Sequence, residues 1–214
     1  FARALVDAGA AVAISGTDQR TLDAAAGELG AQVTPVVADV RDYAAVERLM
    51  TVAAERLGRL DILINNAGVG FFRPVVEMPL ESWNDVIDTN LTGVFHCCRA
   101  ALPHLRRAGG GWIINISSLS GKNPFADGAA YCASKAALNA FSESLMQEVR
   151  HEGIRVACVQ PGSVGTGFMG HRHEAADWKL TPDDIAEVVV DLLRHPARSL
   201  PSCVEIRPAR PPRK

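Results

Sequence analysis

The sequence predicts an α/β fold, a doubly wound parallel sheet flanked by helices. Short apolar runs rich in β-branched residues alternate with longer amphipathic stretches, which is the pattern of successive βα units. The run Trp112-Ile113-Ile114-Asn115-Ile116 is almost unbroken in its apolar character, as a parallel strand buried on both faces must be.

In chain order, residues 1–10 read as the back half of a helix. Apolar runs place strands at 11–15, 32–37, 60–65, 111–117, 154–160 and 203–207. The amphipathic stretches between them place helices at 18–29, 42–57, 81–107, 129–152 and 182–194. The last helix has a legible start: Thr181 suits the N-cap, Pro182 the first helical position, and Asp183 and Asp184 complement the positive end of the helix dipole. No repeat and no linker interrupts the series, so one domain is expected over 1–214, closing in a flexible, basic, proline-rich tail at 207–214.

Composition narrows the functional classes. Of 214 residues, 48% are hydrophobic and 21% charged, enough for one globular core and unlike a disordered or fibrous chain. A formal charge of −2 gives no reason to expect nucleic acid as a partner. No apolar run approaches the roughly 18 residues of a membrane span, so no membrane is expected either. The five cysteines, Cys97, Cys98, Cys132, Cys158 and Cys203, are odd in number and form no C-x-x-C, which argues against a disulfide framework or a metal site. Four of them lie in apolar surroundings where free Cys packs as a small hydrophobe, and a reducing cytoplasm is the expected compartment. His171, His173 and Glu174 stand close in sequence but lack spaced partners, and no metal is expected.

The chemistry gathers around Tyr131 and Lys135. On an α-helix a spacing of four advances about 400° and about 6 Å, so both side chains share a face and reach the same ligand. A free phenol has a pKa near 10, and a fixed ammonium one turn away favours the phenolate, which would make Tyr131 a usable acid and base. Alone, Y-x-x-x-K carries little weight, because most such pairs are a half-buried ring beside a solvated amine. The context supplies the weight. Ser118 stands 13 residues earlier at the end of the strand 111–117, Asn90 and Asn65-Asn66-Ala67-Gly68 lie upstream, and Pro161-Gly162 closes a later strand. Open α/β sheets bind ligands at that carboxyl edge.

With these motifs the chain resembles the short-chain dehydrogenase/reductase family, in its compact single-domain branch, over residues 1–206. The resemblance implies a Rossmann-like sheet in which Ser118 and Tyr131 polarise and protonate a substrate carbonyl. It implies that Lys135 binds the nicotinamide ribose hydroxyls and that Asn90, within Thr89-Asn90-Leu91-Thr92-Gly93, holds a water in the proton relay. Asn66, Ala67 and Gly68 resemble the loop lining the adenosine side, and Asp39 and Val40 look like the pair that contacts adenine. Pro161, Gly162, Val164 and Thr166 match the family's Pro-Gly-x-Val-x-Thr segment, which meets the nicotinamide carboxamide or the phosphates. By size and motif set the chain resembles the 3-oxoacyl-acyl-carrier-protein reductases. The implied activity is hydride transfer between NADP(H) and a small carbonyl or secondary alcohol. The implied assembly is a homodimer or homotetramer joined through the outer faces of 81–107 and 129–152, although Val204-Glu205-Ile206-Arg207-Pro208 replaces the aspartate and paired glycines that follow the final strand in many relatives.

The family's opening strand and its T-G-x-x-x-G-x-G motif are missing ahead of residues 1–10, about twenty residues by the size of a βα unit, and the domain is read as N-terminally incomplete. The strands at 12–15 and 60–65 are therefore expected to carry unpaired edges. Cofactor choice rests on Ile14-Ser15-Gly16-Thr17-Asp18-Gln19-Arg20. Gly16 stands where an NAD enzyme needs an acid for the ribose 2′-hydroxyl, so Thr17 and Arg20 are available to a 2′-phosphate and NADP(H) is favoured over NAD(H), even with Asp18 close by. Arg20 reads equally well as a solvated helix residue. Beside Ser118, the residues Phe125, Met169 and Trp178 offer a substrate apolar walls, and each reads equally as ordinary packing. The alternative from another class is a catalytically silent nucleotide-binding or scaffold protein without a phosphate loop, against which stands the complete set of Asn90, Ser118, Tyr131 and Lys135. Epimerase or dehydratase chemistry ranks last, since only 33 residues follow Thr181.

Overall fold

The computed structural model describes residues 1–166 and 177–212. Six parallel strands, β1 (Val12–Gly16), β2 (Val33–Val37), β3 (Ile62–Asn65), β4 (Gly111–Ile116), β5 (Ile154–Pro161) and β6 (Cys203–Ile206), alternate with helices. The helices are α1 (Ala2–Asp7), α2 (Gln19–Leu29), α3 (Tyr43–Leu57), α4 (Leu80–Ile87), α5 (Gly93–Arg107), α6 (Ala129–Val149) and α7 (Pro182–Leu193). Residues 81–107, expected as one helix, are two helices joined by a wide π turn at Asp88–Thr92. The helix expected at 129–152 gives way to a 3-10 turn at Arg150–Glu152. The start of α7 is as read from sequence: the Thr181 hydroxyl accepts from the Asp184 amide at 3.2 Å, and the Asp184 carboxylate accepts from the Thr181 amide at 2.7 Å.

The strands form two sheets, β1-β2 and β3-β4-β5-β6. Side chains on β4 and β5 alternate between two cores, as period-2 strands with helices on both faces require. Ile113, Ile154 and Val156 face α3, α5 and α6, packed with Val46, Leu49, Leu105 and Leu138. Trp112, Ile114, Ala157 and Val159 face the other way, against Ile185, Val189 and Leu192 of α7. Ile113 and Ile114 are fully buried, each contributing about 1.5–3 kcal/mol.

Between the two sheets, β1 on one side and β3 on the other line a cleft of about 620 Å³. Among the described strands β1 pairs only with β2 and β3 only with β4, so the edges expected to be unpaired border this cleft. The approach to β4 is closed tightly by glycine: Gly111 has φ +151°, and a Cβ there would lie 2.2 Å from the Asp61 carbonyl oxygen. The same carbonyl accepts from the Trp112 amide at 2.9 Å. Among the described residues no helix is long and apolar enough to cross a membrane, and no cluster of His, Cys, Asp or Glu is placed to hold a metal.

Candidate active site

The strand register brings the carboxyl ends of β3, β4 and β5 level, with Asn65 opposite Asn115 and Asn115 opposite Cys158. Buried amides tie these ends together. Asn65 Nδ2 donates to Asn115 Oδ1 at 2.8 Å, Asn115 Nδ2 donates to Ser142 Oγ at 2.9 Å, and Ser142 Oγ donates to the Leu138 carbonyl at 2.7 Å. All three side chains are buried and the network is closed, so it fixes α6 against the strand ends. One residue beyond β4, Ser117 Oγ lies 2.6 Å from Asn139 Oδ1 and 3.2 Å from the Lys135 carbonyl.

Helix α6 presents Tyr131 and Lys135 to that edge. Lys135 is 4% exposed. Its Nζ donates to the Ile116 carbonyl at 2.9 Å and lies 5.8 Å from the centre of the Tyr131 ring. Burial pulls the Lys135 pKa down to about 8. Tyr131 is hydrogen-bonded to Ser118, which favours the phenolate, but burial outweighs it and holds the phenol above its ordinary value. The expectation that Lys135 lowers the Tyr131 pKa is therefore corrected in this geometry: desolvation is the largest influence on both groups, and it favours each neutral form. Ser118 also caps the short turn Leu119–Gly121, accepting from the Ser120 amide at 3.1 Å.

Asn90 is fully buried inside the π turn. Its Oδ1 accepts from the Val69 amide and its Nδ2 donates to the Val69 carbonyl, both at 2.8 Å, and Nδ2 also donates to Ser134 Oγ at 3.0 Å. This clamp orders the loop after Gly68. A Cβ on Gly68 would lie 3.4 Å from Asn90 Oδ1 and 3.7 Å from Lys135 Nζ, so the glycine sits between the two.

A second groove, about 530 Å³, runs from the end of β1 to the start of α4. Gly16, Thr17, Asp39, Val40, Ala67 and Gly68 line it together. Asn66 borders the cleft between the sheets, and Arg20 lines neither cavity. Asp18 is committed elsewhere: its carboxylate caps α2, accepting from the Thr21 amide and hydroxyl, both at 2.7 Å. Arg41 grips both oxygens of Asp39, at 2.7 to 3.1 Å, and donates to Asp85 Oδ1 at 2.8 Å, which holds the Asp39 carboxyl below the usual carboxylate range. On the other side of Tyr131, its ring meets Phe72 edge-on at 5.7 Å, and Phe72 meets Phe125 at 5.3 Å.

Pro161 closes β5, and Gly162 donates its amide to the Ile206 carbonyl at 2.8 Å. A Cβ on Gly162 would lie 3.3 Å from Leu119, so the loops after β4 and β5 touch. Val164 bridges to Leu180, and the Thr166 amide donates to the Val164 carbonyl at 3.0 Å. Trp178 lines neither cavity, and Lys179 lies 5.9 Å from its ring centre. Met169, His171, His173 and Glu174 lie outside the described residues.

A half-buried Tyr131 and a buried Lys135 beside a serine at the carboxyl edge of a parallel sheet are matched by the sequence comparison, in which residues 1–177 fit the family described as short chain dehydrogenase. The chain belongs to that family. Among short-chain dehydrogenases it is 36% identical to the protein of Xanthobacter autotrophicus named inactive 2-(S)-hydroxypropyl-CoM dehydrogenase 2, over 95% of this chain and 96% of that one. It is 35% identical to the NADP-dependent 3-hydroxy acid dehydrogenase YdfG of Salmonella typhi, over 97% of this chain and 89% of that one. The alcohol dehydrogenase of Thermococcus sibiricus, solved in complex with 5-hydroxy-NADP, superposes with a TM-score of 0.91 at 30% identity, covering 100% of this chain and 92% of its own. The sheet is thus the Rossmann-like sheet of a short-chain dehydrogenase, a family of oxidoreductases that act on small molecules with nicotinamide cofactors.

Several residues at the site were not singled out from sequence. Arg41 follows Asp39-Val40 directly, yet its second partner, Asp85, is 44 residues away. Phe72, Val69 and Ser134 gain their places only through packing against Tyr131 and Asn90.

Proposed function

We propose that this chain is an NADP(H)-dependent oxidoreductase that interconverts a small carbonyl compound and its secondary alcohol. The observation that carries the reading is the convergence of Ser118, Tyr131 and Lys135, with a hydrogen-bonded Ser118–Tyr131 pair backed by a buried ammonium. Bound nicotinamide supplies or accepts the hydride. Ser118 orients the substrate oxygen, and Tyr131 gives it a proton during reduction. A phenol is protonated at neutral pH, the state that a proton donor needs, and burial favours that form further.

The residues present fit the cofactor. Lys135 gives one hydrogen bond to Ile116 and has two further N–H groups to offer ribose hydroxyls. The bare backbone of Gly68 keeps the approach between Asn90 and Lys135 open, and Asn90 secures that loop and holds the relay water. Asp39, Val40, Asn66, Ala67 and Gly68 take the adenosine side. Pro161, Gly162, Val164 and Thr166 take the nicotinamide side. NADP(H) is favoured over NAD(H) because Gly16 presents no carboxylate, Asp18 is occupied in capping α2, and Thr17 in the turn and Arg20 at the start of α2 follow. The name of the Salmonella relative and the NADP-type complex of the archaeal enzyme support the same choice. Substrate enters beside Ser118 against Phe125 and Met169.

The reading extends to residues 1–214 belonging to one domain that acts in the cytoplasm as a homodimer or homotetramer. Phe95 on α5 is 43% exposed and meets Phe141 of α6 edge-on at 6.5 Å, which supports pairing through these helices. The second reading is a silent nucleotide-binding or scaffold protein. Titration with NADPH and with NADH, followed by nicotinamide fluorescence, separates the two. Saturable, NADPH-preferring binding with oxidation of NADPH in the presence of a ketone or aldehyde panel is the expected result. A folded chain that binds neither nucleotide would refute the enzyme reading.

A further inference from the structure

Cys158 and Cys203 are register partners on the neighbouring strands β5 and β6. Adjacent strands lie about 4.8 Å apart, inside the span of about 4.4–6.8 Å between Cα atoms that a disulfide bridges. Both side chains share one face of the sheet with Gln160, whose Nε2 is 3.9 Å from Cys158 Sγ and 3.2 Å from Cys203 Sγ. One amide therefore reaches both sulfurs. Gln160 is 1% exposed, and its Oε1 is buried without a hydrogen-bond partner. Buried polar atoms are rarely left unmatched, so the amide is held against the sulfurs despite an unmet acceptor.

The two thiols differ in ways that suit successive steps. Cys203 is exposed, and the Lys122 ammonium lies 3.9 Å from its sulfur while also donating to Glu205 at 2.6 Å. Cys158 is 3% exposed and donates its S–H to Asn139 Oδ1 at 3.3 Å. Strand β6 pairs only with β5 among the described strands, so it can shift by the small amount that bonding requires. Cys97, Cys98 and Cys132 are buried, and desolvation pushes the Cys97 thiol up to about 12 and the Cys98 thiol further still.

We propose that Cys203 and Cys158 form an oxidisable dithiol that closes to an intrachain disulfide in the presence of a peroxide. In the first step the Cys203 thiolate attacks one oxygen of hydrogen peroxide. The O–O bond breaks, a sulfenic acid forms on Cys203, and the departing hydroxide is protonated to water. In the second step the Cys158 sulfur loses its proton and attacks the Cys203 sulfur. The S–O bond breaks, water leaves, and the S–S bond forms. Two thiols are oxidised and one peroxide is reduced to two waters.

The test needs no substrate and no cofactor, so it stands apart from the proposed activity. The folded chain is exposed to hydrogen peroxide, denatured in an alkylating reagent, and mapped by mass spectrometry. The expected product has lost two hydrogens, carries a dithiothreitol-reversible link between the peptides of Cys158 and Cys203, and is still alkylated at Cys97, Cys98 and Cys132. In Cys203→Ser, a surface change, the link should vanish and Cys158 should remain alkylatable. Cys203 halting as sulfenic or sulfinic acid beside a free Cys158, a Cys203 link between two chains, or an unchanged mass would each overturn the proposal.

Discussion

Tyr131 and Lys135 sit four residues apart on α6, and burial moves both pKa values toward the neutral side chain. For Tyr131 this favours the protonated phenol. On the proposed mechanism, replacing Tyr131 with Phe is expected to lower turnover by about 10²–10⁴-fold while changing NADPH affinity by no more than about twofold, because the hydroxyl would serve the reacting oxygen and other groups would hold the cofactor. Comparing kcat with the dissociation constant from fluorescence titration checks this; a variant that turns over normally would remove Tyr131 from the chemistry. For Lys135 the consequence is a pH dependence of stability. Its folded pKa, about 8, lies below the ordinary value of 10.5. Between those values the unfolded chain keeps a proton that the folded chain releases, so unfolding becomes harder as pH rises through that window and is insensitive to Lys135 below it. Relative to Lys135→Met, the wild-type chain should gain up to about 1.4 kcal/mol per pH unit there. Urea denaturation of both proteins at several pH values measures the difference, and a flat difference would show an ordinary lysine. These two residues were legible because a helix places positions i and i+4 on one face, and that rule needs no tertiary information. Their pKa directions were not, since desolvation depends on what packs around them. Arg41 was overlooked for the same reason: its two carboxylate partners meet only after β2 and α4 have been brought together.

At the scale of elements, the ends of α7 and of the 88–92 region show where sequence speaks and where it is silent. Thr181, Pro182 and Asp184 spell a cap in consecutive residues, and the reciprocal bonds form as spelled. Thr181→Ala should destabilise the chain by about 1 kcal/mol, read as a lower midpoint in chemical denaturation, while a midpoint equal to wild type would mean that the cap is redundant. Asp88-Thr89-Asn90-Leu91-Thr92 contains no proline or glycine, so nothing in it announces a break between α4 and α5. The wide turn is stabilised from outside, by the clamp of Asn90 on Val69 and Ser134. Strands were read well because burial on both faces leaves β4 and β5 as nearly continuous apolar runs in the sequence, and only their terminal residues shifted.

At the scale of the molecule, the two sheets differ in protection. β4 and β5 each have strand neighbours on both sides and lie between two helical layers, whereas β1 and β3 border the cleft. Hydrogen exchange should accordingly be slowest at the amides of Ile113, Ile114, Val156 and Ala157 and faster across β1 and β2. Equal protection in both sheets would show that they unfold as one cooperative unit.

The cleft also bears on what nucleotide binding does mechanically. The turns after β1 and β2 carry Gly16, Thr17, Asp39 and Val40, whereas the turns after β3, β4 and β5 carry Gly68, Ser118 and Pro161. On the proposed reading, the adenosine end of a dinucleotide is gripped from both sheets, by Asp39 and Val40 after β2 and by Ala67 and Gly68 after β3, across the groove that these residues line together. A bound nucleotide would then tie the turn after β2 to the turn after β3, and an adenosine fragment alone should suffice to brace them.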